Sequence, residues 1–312
     1  MRIAIFGAGG IGSLFGAMLA RSGEEVHFIA RGAGLGAIRE SGIRVFSPQG
    51  DFTVPPQPAS DDPARIGPVD AVLLCVKSWQ VPEAAAAMAP LLGSETAVLP
   101  LQNGVEAPDQ LSAAVPKRHV LGGMTRVVCF LDSPGVVRHV GVSPYIALGE
   151  LDDARTSRVE LLAAALARSG IEVEIPETIA ASMWEKFIFI SAISGLGAAA
   201  RAPFGVLRHL PGTRRMFEDA ILEGVRLAER LEIPIAADYP EATLAFFERM
   251  PEDGTASMQR DIMDGHPSEL ETQNGAMVRF GEKLGIPTPT HAFLYHVLLP
   301  QERQARGNGD IG

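Results

Sequence analysis

A chain of 312 residues is too long for one small hydrophobic core, so two domains are the natural expectation. Its 46% hydrophobic and 21% charged residues describe an ordinary globular protein with ample apolar surface to bury. The formal net charge of −10 argues against nucleic acid as a partner, which needs a basic footprint, and means that a site for an anionic cofactor must be positive locally, against the field of the whole chain.

The first 31 residues carry the clearest pattern. Arg2 before an apolar run resembles the start of a leader peptide, but five glycines between Gly7 and Gly16 interrupt the run, and a strand, glycine turn and helix account for it better. Ile3 to Phe6 form the strand. Gly7-Ala8-Gly9-Gly10-Ile11-Gly12 form the turn, and Leu14, Phe15, Met18 and Leu19 mark one face of the helix. In a dinucleotide site Gly7 permits the tight turn, Gly9 lets the backbone approach a pyrophosphate, and Gly12 lets helix and strand pack closely. The free N–H groups at the helix start, with Gly10 and Ile11, then face the anion. A second strand, Glu25 to Ala30, is followed by Arg31 where an NAD site usually has Asp or Glu. A guanidinium cannot accept a hydrogen bond from a ribose hydroxyl but pairs well with a 2′-phosphate, which points to NADP(H). A solvated surface arginine is the alternative.

Farther along, Gly42 to Phe46 and Asp51 to Val54 suggest a β-hairpin across Ser47 to Gly50. Asp70 to Lys77 is a nearly continuous apolar run, as in a central parallel strand, delivering Lys77, Ser78 and Gln80 to the sheet edge where such folds bind ligands. A helix is expected over Pro82 to Leu92 and a strand over Thr96 to Leu101, ending in Gln102-Asn103-Gly104. Val120 to Phe130 continues the β pattern, and Val136 to Val140 with Tyr145 to Leu148 suggest a terminal hairpin. The fold class is thus α/β, with an N-terminal Rossmann-type doubly wound sheet over residues 1–174. Helical periods dominate afterwards (Ile179–Ala200, Arg214–Leu231, Tyr239–Met250, Glu269–Leu284, His291–Leu299), predicting an all-helical domain over residues 175–312 with a frayed polar tail at 301–312. The uncharged run Phe187 to Ala200 is short for a bilayer span and reads as a core helix.

Cys75 and Cys129 lie in apolar runs without pairing or metal-ligand spacing, as buried reduced thiols of a cytoplasmic protein. The seven histidines show no i, i+4 pair and no carboxylate cluster accompanies them, so no metal is expected. Lys186 sits in the most apolar helix, where desolvation would make it a proton donor or acceptor, unless it snorkels from the helix edge. Glu269, taken alone, reads as a surface or capping carboxylate.

In combination, Gly7 to Gly12, Arg31, Lys77-x-x-Gln80, Gln102-Asn103-Gly104, Trp184-x-Lys186, Ser257-Met258-x-x-Asp261, Glu269 and Asn274-Gly275 occur in one order over roughly residues 1–299. In that combination the chain resembles the ketopantoate reductase (2-dehydropantoate 2-reductase) family. The resemblance implies a cytoplasmic enzyme that binds NADPH through the N-terminal domain and reduces a small 2-oxo acid, 2-dehydropantoate to pantoate by default. It implies Lys186 as general acid and Glu269 as the carboxylate that holds the substrate hydroxyl and orients the lysine. Asn103 matches a residue lying between nicotinamide and substrate, Lys77 and Gln80 match cofactor-site positions, and Ser257 matches a contact to the substrate carboxylate.

The polar lining departs from the family pattern. Asparagine is usual four and eight residues after the lysine, where this chain has Ile190 and Ser194, and Phe204 stands where a further asparagine can occur. These departures leave open a paralogous reductase for another 2-oxo acid or an imine. A catalytically silent NADP(H)-binding sensor is the rival of a different class, and the retained Lys186 and Glu269 count against it. The expected partner is a small-molecule 2-oxo acid, without nucleic acid or membrane, and a homodimer is compatible with an apolar helical domain.

Overall fold

A computed structural model of the chain describes residues 1–307, which form two compact units. The first comprises Met1–Gln102 and Glu106–Ser182; the second comprises Asn103–Val105 and the residues from Met183 onward.

In the first unit, β1 (Arg2–Phe6), β2 (Glu25–Ile29), β3 (Ile43–Phe46), β4 (Phe52–Val54), β5 (Ala59–Ser60), β6 (Val69–Leu74), β7 (Leu92–Pro100), β8 (Leu121–Ser133), β9 (Val136–Glu150) and β10 (Glu172–Glu174) alternate with α1 (Gly10–Arg21), α2 (Gly32–Glu40), α3 (Val81–Ala87), α4 (Ala107–Ser112) and α5 (Ser157–Arg168). Strands β5-β2-β1-β6-β7 form a wholly parallel sheet, with Ile3 paired to Val26 on one side and Ala71 on the other. Parallel strands are covered on both faces, which is why β1 and β6 read as continuous apolar runs rather than alternating ones. One face packs into a core with Ile3, Ile5, Leu14, Phe15 and Phe28; the other, with Ala4, Val72 and Leu74, packs against α3 and α4 residues such as Ala84 and Leu111.

This parallel sheet is the doubly wound sheet expected, and it has a neighbour within the unit. A second, mixed sheet runs β10-β9-β3-β4, with β8 antiparallel to β9. The expected terminal hairpin is instead one 15-residue strand, β9, and the expected β3–β4 hairpin joins it by parallel pairing of Arg44 with Val136. Helix α1 packs against both sheets. That explains why Gly12 through Leu19 are all buried, beyond the one face that amphipathic spacing would bury. The helix expected over Pro82 to Leu92 ends at Ala87, and Leu92 already begins β7.

The second unit is helical among the described residues. It contains most of α6 (Ile179–Ala200), then α7 (Phe204–His209), α8 (Pro211–Arg230), α9 (Tyr239–Glu248), α10 (Ser257–Met263), a π turn at Glu271–Gly275, α11 (Ala276–Leu284) and α12 (Pro289–Ala305). Its core gathers Phe187, Ile188, Phe217, Phe247 and Met277. By length and composition α6 is long enough to cross a membrane, yet 61% of its most apolar 18-residue window is buried within the protein, as a core helix would be.

Two expected boundaries move. The division falls after Ser182 rather than at residue 174, because Ile175 packs on the first core and the Ile179 N–H donates to Asp153 Oδ1 at 2.9 Å. The tail expected to fray from residue 301 continues α12 to Ala305, with Glu302 buried at 2% exposure. Residues 308–312 of that expectation lie outside the described residues.

Candidate active site

At the nucleotide end of the first unit, the backbone shapes the site. Gly7 has φ +101°, where an L side chain is strained, and a Cβ there would lie 2.9 Å from Val76 N. A Cβ on Gly12 would stand 1.9 Å from the Gly7 carbonyl oxygen, so the first turn of α1 can close on β1 only with glycine. Gly9 is the opposite case: it is exposed, and nothing lies within 4 Å of where its Cβ would stand. Gly9 is also the N-cap of α1, which has no side-chain cap and no acidic residue in its first turn. The leading N–H groups, next to Gly10 and Ile11, are therefore presented to an anion with space before them, as a dinucleotide pyrophosphate requires. Gly10 packs near Cys129 and Gly12 near Cys75. Burial raises both thiols, Cys129 to about 12, so they line the turn as inert apolar groups.

Arg31 lies two residues beyond β2, as the N-cap of α2, exposed, with its guanidinium donating to Glu83 Oε1 at 2.8 Å. Lys77 begins the turn after β6, its Nζ 5.7 Å above the Trp79 ring, and its backbone N–H donates to Gln80 Oε1 at 3.2 Å. Gln102 ties the ends of β6 and β7 together, donating to Leu74 O and Val76 O.

The second unit joins residues that lie far apart in the chain. Asn103 Nδ2 donates to Glu269 Oε2 at 2.8 Å. This approach depends on Gly104, with φ +96° and a would-be Cβ only 2.8 Å from Thr272 O. Glu269 is 7% exposed, which corrects its reading as a surface carboxylate. Asn274 in turn donates from Nδ2 to Ser191 O and meets His291 Nδ1, both at 3.1 Å, so α6, the π turn and α12 share one polar contact. Burial lowers the pKa of His291, keeping the ring neutral, and Nε2 faces Ala220 O at 3.1 Å.

Lys186 is half-buried on α6, and Ile190 and Ser194 follow on its face at helical spacing. Ile190 is half-buried, whereas Phe187 and Ile188 are fully buried in the core. The Ser194 hydroxyl is buried without a hydrogen-bond partner among the described residues, a costly state that invites a polar ligand or water. Phe204 faces the helical core at 5% exposure, so its departure from the family pattern is a matter of packing. Ser257 stands half-buried at the start of α10. One turn on is Arg260, half-buried and lowered in pKa by that burial, a cation that residue patterning alone did not single out. His119 and His139 are buried structural histidines, facing Thr96 O and Ser47 Oγ.

A parallel sheet with a glycine turn opening a capless helix, together with a helical unit that carries a lysine and a buried carboxylate, defines an oxidoreductase that uses a nicotinamide cofactor on a CH–OH group. The chain belongs to the PanE/ApbA ketopantoate reductase family: the model described as Ketopantoate reductase PanE/ApbA matches residues 3–153, and that of its C-terminal part matches residues 178–302. A 2-dehydropantoate 2-reductase of Halobacterium salinarum is 31% identical over 290 residues, covering 93% of this chain and 95% of that protein. The crystal structure of a PanE/ApbA family ketopantoate reductase from Ralstonia eutropha JMP134 superposes with TM-score 0.89 at 34% identity, covering 98% of this chain and all of that one. A D-mandelate dehydrogenase solved with NADH and anilino(oxo)acetate superposes with TM-score 0.88 at 27% identity, covering 98% and 99% of the two chains. The protein is accordingly an oxidoreductase of a family that reduces small-molecule 2-oxo acids.

Proposed function

We propose that the protein reduces 2-dehydropantoate to pantoate with NADPH. The observation that carries this reading is the bond from Asn103 to the buried Glu269, because it holds a carboxylate in place inside the helical unit where a hydroxyl-bearing substrate needs an acceptor. The bound cofactor supplies the hydride that reaches the carbonyl carbon. Negative charge then develops on the carbonyl oxygen, and the Lys186 ammonium stabilises it there and delivers the proton that completes the alcohol. Glu269 accepts the substrate hydroxyl, with Asn103 fixing its second oxygen. Ser257 donates to the substrate carboxylate, and Arg260, one turn along the same face of α10, adds positive charge beside it. At the nucleotide end, the first amides of α1 would hold the pyrophosphate, with Lys77 and Gln80 as further cofactor contacts. Arg31 exchanges Glu83 for the 2′-phosphate.

A second reading rests on Ile190. An apolar side chain on the Lys186 face favours a 2-oxo acid with an apolar substituent, and the similarity to a D-mandelate dehydrogenase solved with NADH points the same way. The deciding measurement is oxidation of NADPH and of NADH by the purified protein across a panel of 2-oxo acids. The first reading expects the highest kcat/KM for ketopantoate with NADPH. If ketopantoate is no better than pyruvate or aromatic and branched 2-oxo acids, that reading is overturned. Ile190→Asn then sharpens the result by shifting preference toward hydroxylated substrates.

A further inference from the structure

We propose that Glu302, near the end of α12, is a positioning residue that acts through Ser268 on Glu269; this rests on the active-site reading of Glu269 above. Glu302 is 2% exposed, an unusual place for a carboxylate. Its oxygens accept the Ser268 N–H at 3.2 and 3.0 Å, and Oε2 accepts the Ser268 hydroxyl at 2.5 Å. Arg306, one turn on, donates from Nε to Glu302 Oε1 at 2.5 Å and from its other arm to Ser268 O at 2.8 Å. The Ser268 hydroxyl also accepts the Leu270 N–H at 3.2 Å. Every polar group of Ser268 is thus engaged, and the next residue in the chain is Glu269.

The same face of α12 continues the support. Residues 291, 295, 298 and 302 recur at helical spacing. Leu298 packs with Leu270, Tyr295 donates to Glu271 Oε1 at 2.8 Å, and His291 meets Asn274. One helix therefore holds the 268–274 segment from its first residue to its last. A buried ion pair is weak evidence for stability, since apolar replacements are often neutral or better. The geometry points instead to placement: Glu302 and Arg306 fix the backbone from which the Glu269 side chain must reach both Asn103 and substrate.

The test is a double-mutant cycle on the full-length enzyme. Glu302→Gln is expected to lower kcat/KM for the preferred 2-oxo acid by about 10-fold to 100-fold, the cost of misplacing a reacting group by a fraction of an ångström to an ångström. The dissociation constant of NADPH, measured by fluorescence, should stay unchanged. In a Glu269→Gln background, Glu302→Gln should cost almost nothing more. Ser268→Ala, which leaves the Glu302–Arg306 pair intact, should reproduce the effect if Glu302→Gln fails to fold. Losses that simply multiply in the double variant would show that Glu302 supports the fold alone, and the proposal fails. A Glu269→Gln enzyme with unchanged kcat/KM would overturn the active-site reading itself, which the cycle thereby distinguishes.

Discussion

Under the proposed function the two units would bind their ligands by different means. In the first, the site is built of backbone and of absent side chains: Gly7, Gly9 and Gly12 lie within six residues of chain and expose the start of one helix. In the second, the candidate residues are side chains from separate segments, with Asn103, Lys186, Ser257 and Glu269 carried on a post-strand turn, α6, α10 and the approach to the π turn, and with Asn103 bonded to Glu269. A backbone cradle recognises what all dinucleotides share, so it tolerates little change. A side-chain lining can change one residue at a time, which is how Ile190 can alter the substrate without disturbing the cofactor.

This contrast predicts that substitutions in each unit leave the other unit's ligand untouched. The largest effect is expected for Lys186→Met, which removes the proposed general acid and should lower kcat about 10²-fold to 10⁴-fold while NADPH still binds, as titration would show. Turnover that survives Lys186→Met would break the assignment. Next comes Gly12→Ala, which places a methyl group 1.9 Å from the Gly7 oxygen and should cost about 1–3 kcal/mol of stability with a loss of cofactor affinity, read by thermal unfolding and titration. Arg31→Ala should weaken NADPH by about 1.5–3 kcal/mol, the worth of a hydrogen bond to a charged group, and leave NADH nearly unaffected. Equal effects on both cofactors would sink the NADP assignment. Glu83→Gln, which releases Arg31 from an exposed pair, should tighten NADPH only slightly.

The smallest effect concerns pH. Burial depresses the folded-state pKa of His291, so the unfolded chain binds its proton more readily. The stability it contributes is present above the unfolded value of about 6.5 and declines as pH falls from there toward the folded pKa. The melting temperature should fall over that interval, and His291→Gln should flatten the slope.

Legibility follows the same division. The strand, glycine turn and helix over Ile3 to Leu19 were evident because their requirements are local, each glycine answering to a neighbour in the same turn. Lys186 stood out because a charge in an apolar helix is conspicuous anywhere. Glu269 was marked only by the family resemblance and Glu302 by nothing, since polar residues in polar surroundings look the same whether they face solvent or a buried partner, and both proved buried. The pairing of β3 with β9 was hidden for a related reason: alternation identifies a strand but not its partner.

The sequence by itself determined the class of cofactor and the residue types available for chemistry, because glycine's missing Cβ and a lysine's charge act wherever the chain goes. Only the tertiary structure decided that Asn103 meets Glu269, that Arg31 is held by Glu83, and that the apparent tail braces the segment carrying Glu269. Those contacts join residues that are distant along the chain, and burial, which gives each polar group its partner and its cost, exists only once the chain has folded.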